Sequence, residues 1–246
     1  MILSPGCRDH VRLKLSTILF DAGGTLVFPN LGRILDECSP AGAANGPSSR
    51  ASLAMLARAD AQVRYALDRP EIIAATDDGQ RFHRYLHALV RVAGLPAIPE
   101  AAFARLQAYH DVHNLWEDVP EDVPGALEEL GRNFRLGVVS NANGTVRAKL
   151  ERLGLAGFFE IIVDSHEEGI EKPDPRLFDV ALTRMNARAA ETAYVGDLYH
   201  VDVVGARAAN LRAFLLDPHD LYVGLPVTRI RALGSLVTTI AAQVNA

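Results

Sequence analysis

Apolar residues follow two different rhythms along this chain. Residues 13–20, LKLSTILF, close on an apolar run that meets DAGGT, the pattern of a buried strand entering a glycine turn. Residues 38–50, CSPAGAANGPSSR, are rich in Pro, Gly, Ser and Asn and read as a loop. From there to about residue 114 the apolar spacing is helical. One helix is predicted from Ser49 to Asp68, with Leu53, Leu56, Val63 and Leu67 at helical intervals. A second starts near Asp77, carries Phe82, Leu86, Leu89 and Ala93 on one stripe, and stops at Gly94 and Pro96. A third starts at Pro99, a favourable first-turn residue, and carries Phe103, Leu106 and His110.

After Val123 the rhythm changes. The short apolar strands RLGVVS, EIIVDS, TAYVGD and LRAFLL alternate with the helical stretches PGALEELGR, TVRAKLERLG, PRLFDVALTRM and VDVVGARAAN. Such alternation predicts the α/β class, a parallel sheet with helices on both faces. The first strand lies before the helical stretch. The simplest architecture is therefore an α/β core of residues 13–28 and 121–246, interrupted by an all-helical insertion at residues 29–120.

Polar residues fall at the ends of these strands. Asp21 follows STILF, Ser140 ends LGVVS, Asp197 follows AYVG, and Lys172 sits in GIEKPDP after EIIVDS. Open parallel sheets bind ligands at the carboxyl ends of their strands, so four separate segments can bring these groups together. The set has a chemistry. Asp21 can act as a nucleophile, as in enzymes that form an aspartyl-phosphate. Asp197 can share a Mg²⁺ with it, because Mg²⁺ takes a few carboxylates, waters and phosphate oxygens. Lys172 and Ser140 can hold the oxygens of a transferred phosphoryl group. Bland roles compete with these: a turn-forming Asp21, a helix-capping Ser140, a solvated Lys172. Asp202 reads equally as a metal-site carboxylate and as the N-cap of the helix after it.

Composition narrows the classes. The chain has 246 residues, 49% of them hydrophobic, enough for one large domain or for a core with a smaller insertion. Two cysteines, Cys7 and Cys38, make no disulfide framework. No apolar run approaches the roughly 20 residues of a membrane helix, and the N-terminal MILSPGCRDHVRLKLS lacks the apolar stretch of a signal peptide. A net charge of −5 gives no support for nucleic-acid binding. A cytoplasmic protein is the expectation; the oligomeric state is not read. Only three of the 25 basic residues are lysines (Lys14, Lys149 and Lys172), which limits the lysines available for chemistry.

Four segments, in order, carry a resemblance: DAGGTL at 21–26, VVSNANGT at 138–145, EKPDP at 171–175 and VGDLYHVDVVGA at 195–206. With them the chain resembles the haloacid dehalogenase-like hydrolase superfamily over about residues 13–240, on the side of its phosphatases. The resemblance implies a Rossmann-like core with an all-helical cap inserted after the first strand, an aspartyl nucleophile, Mg²⁺, and a small phosphorylated substrate chosen by the cap. Carried over residue by residue, it implies Asp21 as nucleophile, Ser140 and Lys172 as catalytic, and Ser140, Asn141 and Lys172 as substrate-binding. It further implies Asp21, the Gly23 carbonyl and Asp197 as metal ligands. Asp202 would support the metal site through water or Lys172.

One position departs from the pattern. Most phosphatases of the superfamily carry a second aspartate two residues after the nucleophile, which protonates the leaving oxygen and then activates water. Here that position is Gly23. A good leaving group, an acyl or aryl phosphate, needs that acid least. The same departure fits the metal-free 2-haloacid dehalogenases, which read DAYGT here, whereas GDLYHVD speaks against them. Phosphonate hydrolysis needs a cap lysine, and no lysine lies between residues 15 and 148. A catalytically weak member that binds a metabolite or partner is the remaining reading. His200 is the nearest histidine to the expected chemistry. His83, His87, His110 and His113, with Arg50 and Arg58, read as solvated or packed helix residues.

Overall fold

A computed structural model describes residues 15–38 and 47–244. Cys7, Lys14, the N-terminal stretch and part of the Pro/Gly/Ser-rich loop lie outside the described residues. Six strands form one parallel sheet in the order β5-β4-β1-β6-β7-β8. They are β1 (Thr17–Phe20), β4 (Arg135–Ser140), β5 (Ile161–Asp164), β6 (Thr192–Gly196), β7 (Arg212–Leu216) and β8 (Thr228–Ile230). β1 is central, with Phe20 opposite Val138 of β4 and Val195 of β6.

Alternation along β1 explains the layers. Ile18 and Phe20 point into one apolar cluster with Leu127, Val146 and Leu236, while Leu19 points into another with Phe178, Ala181 and Ala206. Helices α6 (Asp122–Gly131), α7 (Val146–Arg152) and α11 (Leu236–Val244) supply the first cluster. Helices α9 (Pro175–Arg184) and α10 (Val204–Ala208) supply the second.

The stretch between β1 and β4 is helical, as the periodicity predicts, with added detail. It holds α1 (Leu31–Cys38), α2 (Pro47–Leu67), α3 (Pro70–Ala75), α4 (Asp78–Val92) and α5 (Glu100–His113) around a third cluster that includes Leu56, Leu86, Leu89 and Leu106. α1 and α3 are not anticipated, being only 8 and 6 residues long. A two-stranded antiparallel ribbon of β2 (Phe28–Pro29) and β3 (Trp116–Asp118) ties the ends of the insertion together. It is too short to register as an alternating pattern. Trp116 packs against both the first and third clusters, so it sits where the helical layer meets the core. Among the described residues, no helix is long and apolar enough to cross a membrane.

Candidate active site

Strand ends place the polar groups. The Asp21 N–H donates to Val195 O at 2.9 Å, which keeps Asp21 in line with the sheet; the chain then turns, with Gly24 N–H donating to Val27 O at 2.7 Å. Gly24, not Gly23, holds the left-handed φ of +87°. It must be glycine for a second reason: a Cβ there would lie 2.6 Å from Asp197 Oδ2.

Asp21, Ser140, Lys172, Asp197 and Asp202 are all buried and all line one cavity of about 150 Å³ beneath the helical layer, together with Gly23 and Asn141. Lys172 is the hub. Its Nζ donates to Asp21 Oδ1 at 2.7 Å, to Asp202 Oδ1 at 2.7 Å and to the Tyr194 hydroxyl at 2.8 Å. All three ammonium protons are used. Burial alone would lower the Lys172 pKa, but Asp202 and Asp21 outweigh it and hold the group charged. The main chain of Lys172 is braced by Asn141: its N–H donates to Asn141 Oδ1 at 2.8 Å, and Asn141 Nδ2 donates to its carbonyl at 3.0 Å.

Asp202 is fully occupied. Besides Lys172, its Oδ2 accepts from the main-chain N–H groups of Asp197 at 3.1 Å and Leu198 at 2.9 Å. It sits inside a π-helical turn, Tyr199–Val203, ahead of α10. The carboxylate thus closes the loop upstream of it; it does not cap the helix that follows.

Asp197 meets the helical layer. Its Oδ2 accepts a short, charged hydrogen bond from Arg64 of α2, while its Oδ1 has, among the described residues, a long contact with Thr25 Oγ1 at 3.4 Å. Arg64 is aimed by Asp60, one helical turn earlier, with Nε and Nη2 at 3.1 and 3.0 Å from Oδ2. The Tyr85 hydroxyl of α4 donates to Asp60 Oδ1 at 2.7 Å. Burial pushes the Asp197 carboxyl up to about 7, against the pull of Arg64. Burial likewise raises Asp21, against the pull of Lys172. Carboxylate oxygens from Asp21, Asp197 and Asp202 lie within 4.8 Å of one another, a spacing that suits a single hard cation.

Several groups named from sequence lie elsewhere. Arg50 and Arg58 are exposed. His200 turns away from the cavity and docks on the end of α2, its N–H on the Asp68 carboxylate at 3.0 Å and its Nδ1 2.9 Å from the Asp68 carbonyl. His83 and His87 pack on Phe103. Conversely, Arg64, Tyr85, His110 and Trp116 line the cavity, though the sequence motifs do not point to them. A signal for Arg64 exists in the spacing Asp60–Arg64–Asp68, a charged stripe along one face of a helix whose acidic members are both buried. His110 and Trp116 have no signal beyond their aromatic type.

A haloacid dehalogenase-like hydrolase model matches residues 15–210. The chain is 34% identical to the ribulose-1,5-bisphosphate 5-phosphatase of Halopiger xanaduensis, over 63% of its own length and 67% of that protein's. It is 33% identical to the glyceraldehyde 3-phosphate phosphatase of Methanopyrus kandleri, over 54% of its length and 58% of that protein's. The magnesium-bound putative HAD-hydrolase YfnB of Bacillus subtilis shares the fold, with a TM-score of 0.67 at 20% identity over 92% of this chain and 99% of that one. The catalytic-type residues at the strand ends and the match over most of the core agree: the chain belongs to the haloacid dehalogenase-like hydrolase family.

Proposed function

We propose that the protein is a Mg²⁺-dependent phosphatase of a small phosphorylated metabolite, working through an aspartyl-phosphate on Asp21. The observation that carries this reading is the convergence of Asp21, Lys172 and Asp197 in one cavity. The phosphatase names of the relatives support the substrate class. Asp197 in particular favours a phosphatase over a dehalogenase, because a metal-free displacement at carbon has no cation for a pair of facing carboxylates to hold.

The donor set fits Mg²⁺. Asp21 and Asp197 would hold it with the Gly23 carbonyl, and Asp197 Oδ1 is open to a ligand apart from one long contact with Thr25. When bound, the ion neutralises phosphate charge and the repulsion between the two carboxylates. Asp202 serves this site through Lys172 and through the Asp197 main chain.

The chain's own residues then do the following. Lys172 holds Asp21 in place and passes a hydrogen bond to a phosphoryl oxygen as substrate enters; Ser140 and the Asn141 main chain hold the other oxygens. An Asp21 oxygen bonds to phosphorus, and the bond to the leaving oxygen breaks with its electron pair. Water then attacks the same phosphorus, the Asp21 carboxylate is released, and the phosphate keeps the water's protons. The helical layer acts as a cap that excludes bulk water, clamped by Arg64 on Asp197 and by Arg81 on Glu171 at 2.6 Å, and it must open for exchange.

The test is a screen of phosphorylated metabolites with and without Mg²⁺, beside chloride release from 2-chloropropionate. Phosphate release that needs Mg²⁺ and is lost in Asp21→Asn is expected. Chloride release without Mg²⁺ would overturn the reading. The second reading, the metal-free dehalogenase, keeps one observation in its favour, the side-chain-free Gly23.

A further inference from the structure

Part of the cavity wall is aromatic, made by Phe82, Tyr85, His110 and Trp116. His110, at the end of α5, is 7% exposed and stacks on Phe82 with ring centroids 3.9 Å apart at 11°. Its Nδ1 accepts a hydrogen bond from the Leu115 main-chain N–H at 3.2 Å. A main-chain N–H can only donate, so Nδ1 must keep its lone pair. The proton of the neutral ring therefore sits on Nε2. The Nε2–H is the donor this leaves to the ring, and His110 lines the cavity. Burial, with the charge of nearby Lys149, lowers the ring's pKa to about 4, so it stays neutral at pH 7. The adjoining Trp116 indole can also only donate. Tyr85 spends its hydroxyl proton on Asp60. His110 and Trp116 thus bring N–H groups to the cavity that Gly23 also lines, and Gly23 has no side chain to protonate a leaving group.

We propose that His110 Nε2–H is a substrate-binding donor for the carbonyl oxygen of an acyl phosphate, and that mixed carboxylic–phosphoric anhydrides are the substrate class. This rests on the phosphatase reading above. In the step, Asp21 bonds to phosphorus and the phosphorus–acyl oxygen bond breaks. The electron pair leaves on the acyl group, which departs as a carboxylate without needing a proton. Its charge spreads onto the carbonyl oxygen, the atom that reaches the donor wall. The His110 proton stays on nitrogen throughout. Other esters match less well. An alcohol leaves needing a proton that Gly23 cannot give. A phenolate spreads its charge into its ring and has no second oxygen on the atom that bears the bridging one, so it sets an apolar ring against the N–H groups and leaves them buried and unpaired.

The first measurement is the tautomer, by ¹⁵N–¹H correlation of imidazole-labelled protein at pH 7. The proton is expected on Nε2; a proton on Nδ1 overturns the proposal whatever the variants do. The second compares acetyl phosphate with p-nitrophenyl phosphate. His110→Phe is expected to lower kcat/KM for acetyl phosphate by about 10- to 100-fold, the effect of one hydrogen bond to a charged acceptor, and to change p-nitrophenyl phosphate by less than about threefold. His110→Gln, which keeps a donor, should restore most of the loss. Equal losses on both substrates would assign His110 a packing role and overturn the proposal. If the variants do not fold, acetyl phosphate added to the Asp21→Asn protein must shift the His110 Nε2–H resonance, and no shift overturns it. Failure of the parent reading looks different: a folded wild type that releases phosphate from neither compound.

Discussion

Replacing Gly23 with aspartate puts the missing carboxylate beside the nucleophile, and the geometry says how much resistance it meets. Gly23 lies outside the left-handed region, so no backbone strain opposes a side chain there. A Cβ at Gly23 would sit 3.3 Å from Trp116 Cδ1, 3.6 Å from Cγ and 3.7 Å from Nε1. Only the first distance is short, by a few tenths of an ångström, and the indole edge must yield by that amount. Overpacking of this kind costs about 1–3 kcal/mol, which a urea titration reads directly. Gly24→Ala is the contrasting control, because its Cβ would fall 2.7 Å from Asp197 Cγ at a φ of +87°; it should not give a stable, active protein. The assay is a plot of log kcat/KM against leaving-group pKa for a series of aryl and alkyl phosphates. The wild type should show a steep slope. Gly23→Asp should flatten it by raising the alkyl esters, with a ceiling of ~10²–10⁴-fold, the usual worth of a positioned acid/base. A shallow slope in the wild type would refute the reasoning, since some other group would then be supplying the proton. So would a folded Gly23→Asp protein with an unchanged slope.

Three further outcomes follow from the same geometry. Asp21→Asn should abolish phosphate release, because an amide is a poor nucleophile, while leaving the fold intact by circular dichroism. Lys172→Met strands the buried Asp21 and Asp202 carboxylates without their cation and should lower unfolding stability by about 3–5 kcal/mol, measured by urea denaturation. His110, with its pKa depressed from 6.5 to about 4, contributes stability that is complete above pH 6.5 and lost as pH falls toward 4, because the unfolded chain takes up the proton first. The loss is about 3 kcal/mol, and His110→Gln should remove that acid sensitivity from the urea midpoint.

What could be read in the sequence, and what could not, divides along a physical line. β1, β4 and β6 announce themselves because each carries a buried, nearly continuous apolar run, and Asp21 and Ser140 are found simply by where those runs stop. The parallel topology then brings them together, so the core half of the site needs only local pattern plus one rule about sheets. β8, three residues at the sheet edge with only Ile230 buried, carries no such pattern. The other half of the site depends on how helices dock on the sheet, which no local period encodes. Arg64 looks like any helix arginine with an acidic partner a turn away; only docking turns that pair inward and sets Arg64 on Asp197. Trp116 reads as an aromatic in a connector, yet the β2–β3 ribbon carries it across to Gly23, and its indole stands where a side chain at that position would project. The side chain absent at residue 23 and the indole of Trp116 thus compete for one place in the fold. A glycine that looks like a missing catalytic group in sequence is, in the fold, the space that the Trp116 indole approaches. On the proposed reading, an aromatic wall there suits a leaving group that carries off its own charge.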